Sequence, residues 1–199
     1  MKSDEASETR GSPSADGLAS AARAASGNGL PPVHLWNPPF CGDIDMRIAR
    51  DGTWFHEGTP IGRPALVKLF SGILKKEGDR FFLVTPVEKV GIVVDDAPFV
   101  AVDFDISGEG DRQSLIFRTQ VGDLVPLDEA HPLRVVRDPE SGEPSPYIHV
   151  RAGLEALIDR KSFYRLVDLC VHATVAGKDW FGLWSSGRFF PVIPSDELP

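Results

Sequence analysis

The chain has 199 residues, with 29 acidic against 21 basic side chains and a formal charge of −8. A surface this acidic repels a phosphate backbone, which excludes a nucleic-acid polymer as the principal partner. No apolar run approaches the roughly 18 residues a membrane span needs, so no membrane association is expected and the protein reads as cytoplasmic.

Residues 1–33 are Ser, Ala, Gly and charged side chains with almost nothing large and apolar, so they read as a disordered, passive tail. A secretory leader would need an unbroken apolar core, and Arg23 interrupts the Ala-rich stretch where one could lie. The two cysteines, Cys41 and Cys170, are expected to be reduced thiols rather than a disulfide. Neither has companions at a zinc-ligand spacing, so no metal and no cofactor is expected.

The stretch 43–58 predicts a hairpin. Ile44, Met46 and Ile48 alternate with polar or small residues, Asp51-Gly52 supplies the turn, and Trp54 and Phe55 begin the return strand. Arg63-Pro64 then opens a helix in which Leu66, Leu69, Phe70, Ile73 and Leu74 form one apolar face. Lys75 and Lys76 fall in its last turn and Gly78 stops it. Strands follow at RFFLVTP, VGIVVDD, PFVAVDFDI and SLIFRTQ, the last two around a loop at 107–111.

HPLRVVRD and YIHV predict a second hairpin, after which Arg151 heads a second helix, RAGLEALI. A further helix spans 162–174 with Ser162 as cap, and GKDWFGLWS is a closing strand. Strand, turn, strand, arginine, helix, glycine and strand thus recur in one order. Arg47 to Arg63 spans 16 residues and Arg134 to Arg151 spans 17. That agreement predicts an internal duplication, with 44–57 and 133–150 as corresponding hairpins.

NPPFCGDIDMRIARDGTWFHEGTPIGRPALVKLF, TPVEKVGIVVDDAPF, PSPYIHVRAGLEALI and GLWSSGRFFPV together resemble the bacterial domain-of-unknown-function family 1285 (DUF1285) over 35–192. The resemblance implies a duplicated α+β core of two small domains, the second superficially like pleckstrin-homology folds. It also implies a ligand site where the domains meet, suited to a nucleotide-like molecule, and a signalling role. No catalytic residue comes with it.

Among candidate site residues, Arg63 and Arg151 each stand ahead of a predicted helix, where a cation is disfavoured by the dipole unless it has an anionic partner. That partner is either an internal carboxylate, with Asp43, Asp45, Asp103, Asp105 and Asp123 available, or a ligand anion at the helix N-terminus. Trp54 and Trp184 either stack on a ligand or pack the core. Asp43 and Asp45 share a strand face, either as an acid–base pair or as solvated side chains. Ser185-Ser186-Gly187 reads as a turn, since no nucleophile-elbow order surrounds it.

The expectation is an α+β protein of two similar subdomains with mostly antiparallel sheets and short helices, divided as 34–106 and 107–199. Its expected function is binding or sensing of a nucleotide-like or other anionic small molecule at the subdomain interface, through Asp43, Trp54, Arg63, Arg151 and Trp184. The alternatives are a protein-interaction domain using an exposed edge strand or the segment 162–174, and an enzyme of unfamiliar type.

Overall fold

A computed structural model describes residues 14–26 and 29–198. The first subdomain holds β1 (Phe40–Ile48), β2 (Trp54–His56), β3 (Thr59–Pro60), α2 (Pro64–Gly72), β4 (Leu74–Glu77), β5 (Arg80–Val84) and β6 (Lys89–Val94). The second holds β7 (Phe99–Ser107), β8 (Ser114–Thr119), β9 (Leu124–Pro126), β10 (Leu133–Arg137), β11 (Pro144–Arg151) and β12 (Leu154–Ile158). It continues into α3 (Arg160–Val167) and a three-stranded sheet of β13 (Val171–Val175), β14 (Lys178–Ser185) and β15 (Arg188–Pro194).

The two six-stranded sheets share one topology. The first runs β3-β2-β1-β6-β5-β4 and the second β9-β8-β7-β12-β11-β10. In each, two antiparallel three-stranded meanders join through a central parallel pair made by the first and last strands, β1 with β6 and β7 with β12. The chain is a duplicated α+β protein with mostly antiparallel sheets, but the units that correspond are not the expected ones. The counterpart of the hairpin β1–β2 is β7–β8, and β10–β11 answers β4–β5. The division falls between β6 and β7, not after residue 106, because β7 is central to the second sheet.

Three local expectations give way to the structure. RAGLEALI is a hairpin, not a helix: Ala152 and Gly153 turn with φ of 47° and 76°, and Gly153 N–H donates to His149 Nε2 at 3.1 Å. Leu154, Ala156 and Ile158 are then buried in strand alternation. Leucine and isoleucine at 154, 157 and 158 satisfied a helical period, while the strand period also fits, and a cross-strand partner decides between them. Arg151 therefore ends a strand.

Helix α2 stops at Gly72, so Lys75 and Lys76 lie on β4, paired with Phe82 and Phe81. The helix expected over 162–174 covers Arg160–Val167, capped by Asp159, whose Oδ1 accepts from Ser162 N–H at 2.7 Å; residues 171–175 are strand.

The tail needs a larger correction. Residues 15–25 form helix α1 (Ala15–Ala25), whose N-cap Ser14 Oγ accepts from Gly17 N–H at 3.1 Å. Leu18, Ala19 and Ala22 are buried in the main core. Small side chains let the helix lie close against its neighbours, so a composition that reads as disorder still docks. Residues 1–13 lie outside the described residues.

The Leu18→Ala variant tests this docking. A fully buried leucine loses about 2–5 kcal/mol on truncation, to be read in urea denaturation; an unchanged midpoint would mean that the segment is detached.

Candidate functional site

The seam between the subdomains begins at the turn of the first hairpin. Gly52, at φ 83°, lies against the second subdomain so closely that a Cβ there would be 2.9 Å from Gln120 Nε2 and 3.1 Å from Val100 Cγ2. Gln120 itself behaves as an extra rung of sheet: its N–H donates to Val100 O at 2.9 Å, and its Oε1 accepts from Val100 N–H at 2.8 Å.

A second fastening lies at the C-terminal end of α2. Arg151 Nη1 donates to Asp123 Oδ2 at 2.6 Å, Nη2 donates to the Ser71 carbonyl at 3.0 Å, and the guanidinium lies 4.9 Å from the centre of the Phe99 ring. Ser71 belongs to the last turn of α2, where carbonyls have no intrahelical partner and a cation is favoured.

A third fastening involves Arg50. It donates to Ser145 Oγ at 2.9 Å and sets its Nε 3.4 Å from Asp96 Oδ2, an ion pair without hydrogen-bond geometry. Tyr147 OH donates to Asp96 Oδ1 at 2.8 Å, and burial together with that carboxylate pushes the phenol above its ordinary pKa.

Two clefts bear on a ligand. The first, of about 660 Å³, lies within the first subdomain between the N-termini of α1 and α2 and the ends of β1–β3. It holds Arg63, but also Asp16, Asp43, Asp45 and Glu57, so its field disfavours an anion despite the helix ends. Asp43 is moreover engaged: its Oδ1 accepts from Arg80 at 2.7 Å across the face of Gly91.

The second cleft, of about 480 Å³, opens on the seam between α2, the β1–β2 turn and the loop after β8. Of the described residues that line it, Lys68 alone is charged. Its Nζ lies 3.8 Å from where a side chain on Gly122 would begin. Trp54 and Gln120 also line it, and each has a buried N–H donor, Nε1 and Nε2, with no partner among the described residues. Unpaired buried donors cost free energy, and two of the described ones belong to residues that line this cleft.

The expected site residues are dispersed. Trp54 is at the seam cleft, buried and stacked on Phe70 with centroids 6.2 Å apart. Asp43 and Arg63 line the acidic cleft. Arg63 and Arg151 do not converge on one anion: they stand at opposite ends of α2, about 12 Å apart along its axis at 1.5 Å per residue. Trp184 lies on β14, edge-on to Phe189, and its carbonyl accepts from Gln113 at 2.8 Å, fastening the third sheet to the second. Lys68 and Gln120 were not singled out by sequence. Nothing local marks them, since one is on the exposed side of a helix and the other lies in the turn just after β8.

A two-subdomain α+β protein with a cleft along its seam is the class that this geometry defines. Residues 31–97 match the sequence model described as "Domain of unknown function (DUF1285), N-terminal domain", and residues 98–192 match "Protein of unknown function (DUF1285), C-terminal domain". The chain is similar to the crystal structure of a DUF1285 family protein from Silicibacter pomeroyi DSS-3, at 66% identity and a TM-score of 0.82, covering 92% of this chain and 98% of that one. It is also similar to a DUF1285 family protein from Shewanella baltica OS155, at 30% identity and a TM-score of 0.50, covering 62% of this chain and 90% of that one. A search of curated proteins finds no match. The chain belongs to the DUF1285 family. No helix among the described residues is long and apolar enough to cross a membrane.

Two outcomes check the seam and the burial around it. Arg151→Met leaves the half-buried Asp123 carboxylate and the Ser71 carbonyl without their donor, and should lower stability by about 1–3 kcal/mol in urea titration. Burial pushes the Cys170 thiol up to about 12. At neutral pH it is therefore neutral and inert, and iodoacetamide should label it only after denaturant unfolds the chain.

Proposed function

We propose that the protein is a binding module for a small anionic ligand, received in the seam cleft rather than between the two arginines. Three residues lining one cleft carry this reading: Lys68 and Trp54 from the first subdomain and Gln120 from the second, the last two with buried N–H donors that have no partner among the described residues. Among the other lining groups, Ile61, Pro64, Ala65, Val67 and Val121 are apolar and would cover the body of a ligand whose charged end meets Lys68. A cleft of about 480 Å³ falls within the range of small-molecule sites. A nucleotide-like molecule has both parts, a flat aromatic base whose faces pack against apolar groups and phosphate oxygens.

The two halves of the site come from different subdomains, so occupancy tightens the seam. That coupling suits a sensory or signalling module, whose response is a change in how firmly the subdomains hold each other. A pleckstrin-homology-like second subdomain, which the family resemblance implies, would accord with a recognition role and add no chemistry.

A thermal-shift screen of nucleotides and phosphorylated metabolites tests the reading. A ligand at 100 times its Kd adds about 2.7 kcal/mol, or roughly 5–10 °C for a chain of this size. Lys68→Met, on an exposed position, should leave the unliganded melting temperature near wild type and remove most of that shift. A shift equal in both proteins, or none in the wild type across the panel, would sink the proposal.

A further inference from the structure

The three sheets have six edge strands among the described residues, and five are blunted against pairing. The strand β3 is two residues long and ends in Pro60, and β9 is three long and ends in Pro126. Charges serve β4, through Lys75, Lys76 and Glu77, and β10, through Arg134 and Arg137. Prolines 191 and 194 interrupt β15. The exception is β13. Its sequence, VHATV, has no charge, no proline and no bulge in its register with β14. Long, flat, uncharged edges invite another strand, and natural sheets remove them unless they are used.

The occupant follows from the strand's own pattern. The turn Ala176-Gly177 has φ of 50° and 78°, the conformation of a two-residue hairpin, so Val175 and Lys178 form the closing hydrogen-bonded pair. Counting back by twos, Val171, Ala173 and Val175 direct their peptide groups to β14, while His172 and Thr174 direct theirs to the open edge. An antiparallel copy placed on a two-fold axis at Ala173 sets His172 opposite Thr174 of the other chain and Thr174 opposite its His172. The outward N–H and C=O groups then match in four hydrogen bonds.

On one face the same register brings Val171 against Val175 of the second chain, twice, with Ala173 on the axis. Val171 and Val175 are now 47% and 40% exposed. A strand that reads valine, polar, small, polar, valine is complementary to itself.

We propose that β13 is a self-association edge, joining two copies of this chain through an antiparallel β13–β13 pair into one six-stranded sheet. The contact is five residues per copy, well below the roughly 1,200 Å² of a standard stable interface. The dimer is therefore weak and set by concentration. It is independent of the seam cleft.

Sedimentation equilibrium over rising concentration reads it. The wild type should show a monomer–dimer equilibrium. The double substitution Val171→Lys, Val175→Lys places like charges opposite each other twice and should weaken the dimer by about ten-fold or more. Val171→Lys with Val175→Glu places opposite charges there and should keep it. Both sites are exposed, so melting temperatures should hold. Should either variant misfold, amide exchange of His172 and Thr174 in the wild type serves instead, slowing as concentration rises. A wild type that stays monomeric with concentration-independent exchange overturns the proposal. So does a lysine pair that dimerises like wild type, or a wild-type monomer that captures only extended peptides.

Discussion

The arrangement of the two subdomains rests on Arg151. Its guanidinium satisfies a carboxylate of its own subdomain, Asp123, and a spare carbonyl at the end of the other subdomain's helix, with Phe99 beneath it. Each contact has a reason in elementary electrostatics. The helix end is negative, the carboxylate needs a partner once half-buried, and the flat guanidinium can rest on an aromatic face while its edge makes hydrogen bonds. Asp43, Asp103 and Asp105 each take an arginine of their own, from Arg80, Arg165 and Arg118, so ion pairing is a habit of this chain. Among the described residues, only at Arg151 does such a pair also reach the neighbouring subdomain's helix.

With that helix end fixed, α2 becomes the wall of two clefts of opposite character. Its N-terminus and Arg63 face a hollow crowded with carboxylates, while its middle presents Lys68 to the seam. Although the sheets repeat, such a helix occurs in only one of the two repeats among the described residues. In the first subdomain α2 fills the connection between the two meanders. The equivalent connection in the second, between β9 and β10, is a short loop held by Asp128, whose Oδ1 accepts from the N–H groups of Ala130 and His131. The repeat therefore supplies two similar sheets, and the asymmetry between their connections supplies the seam cleft.

Elements with a single period were legible: β1–β2 with Asp51-Gly52, β5 to β8, and the start of α2 at Pro64. Segments whose apolar residues fit two periods were not. RAGLEALI reads as helix by its leucines and as hairpin by its Ala-Gly turn. The second reading wins because β7 and β11 flank it and complete its hydrogen bonds. The repeat was detected through an apparent match of arginine to arginine, and the true correspondence is one of strand order, which leaves no trace in spacing. Trp54, singled out in the sequence, lines the seam cleft, whereas Lys68 and Gln120 carry no pattern until the turn at Gly52 brings them to one cleft.

By itself the sequence determined the α+β class, the doubling, the turn of the first hairpin and the family, because these depend on local periodicity, glycine φ and motif order. The tertiary structure decided which strands correspond, that α1 docks, that Arg151 is a fastening and where unpaired donors meet. Each of these depends on partners distant in sequence, and a residue's hydrogen bonds are completed only by what folds against it.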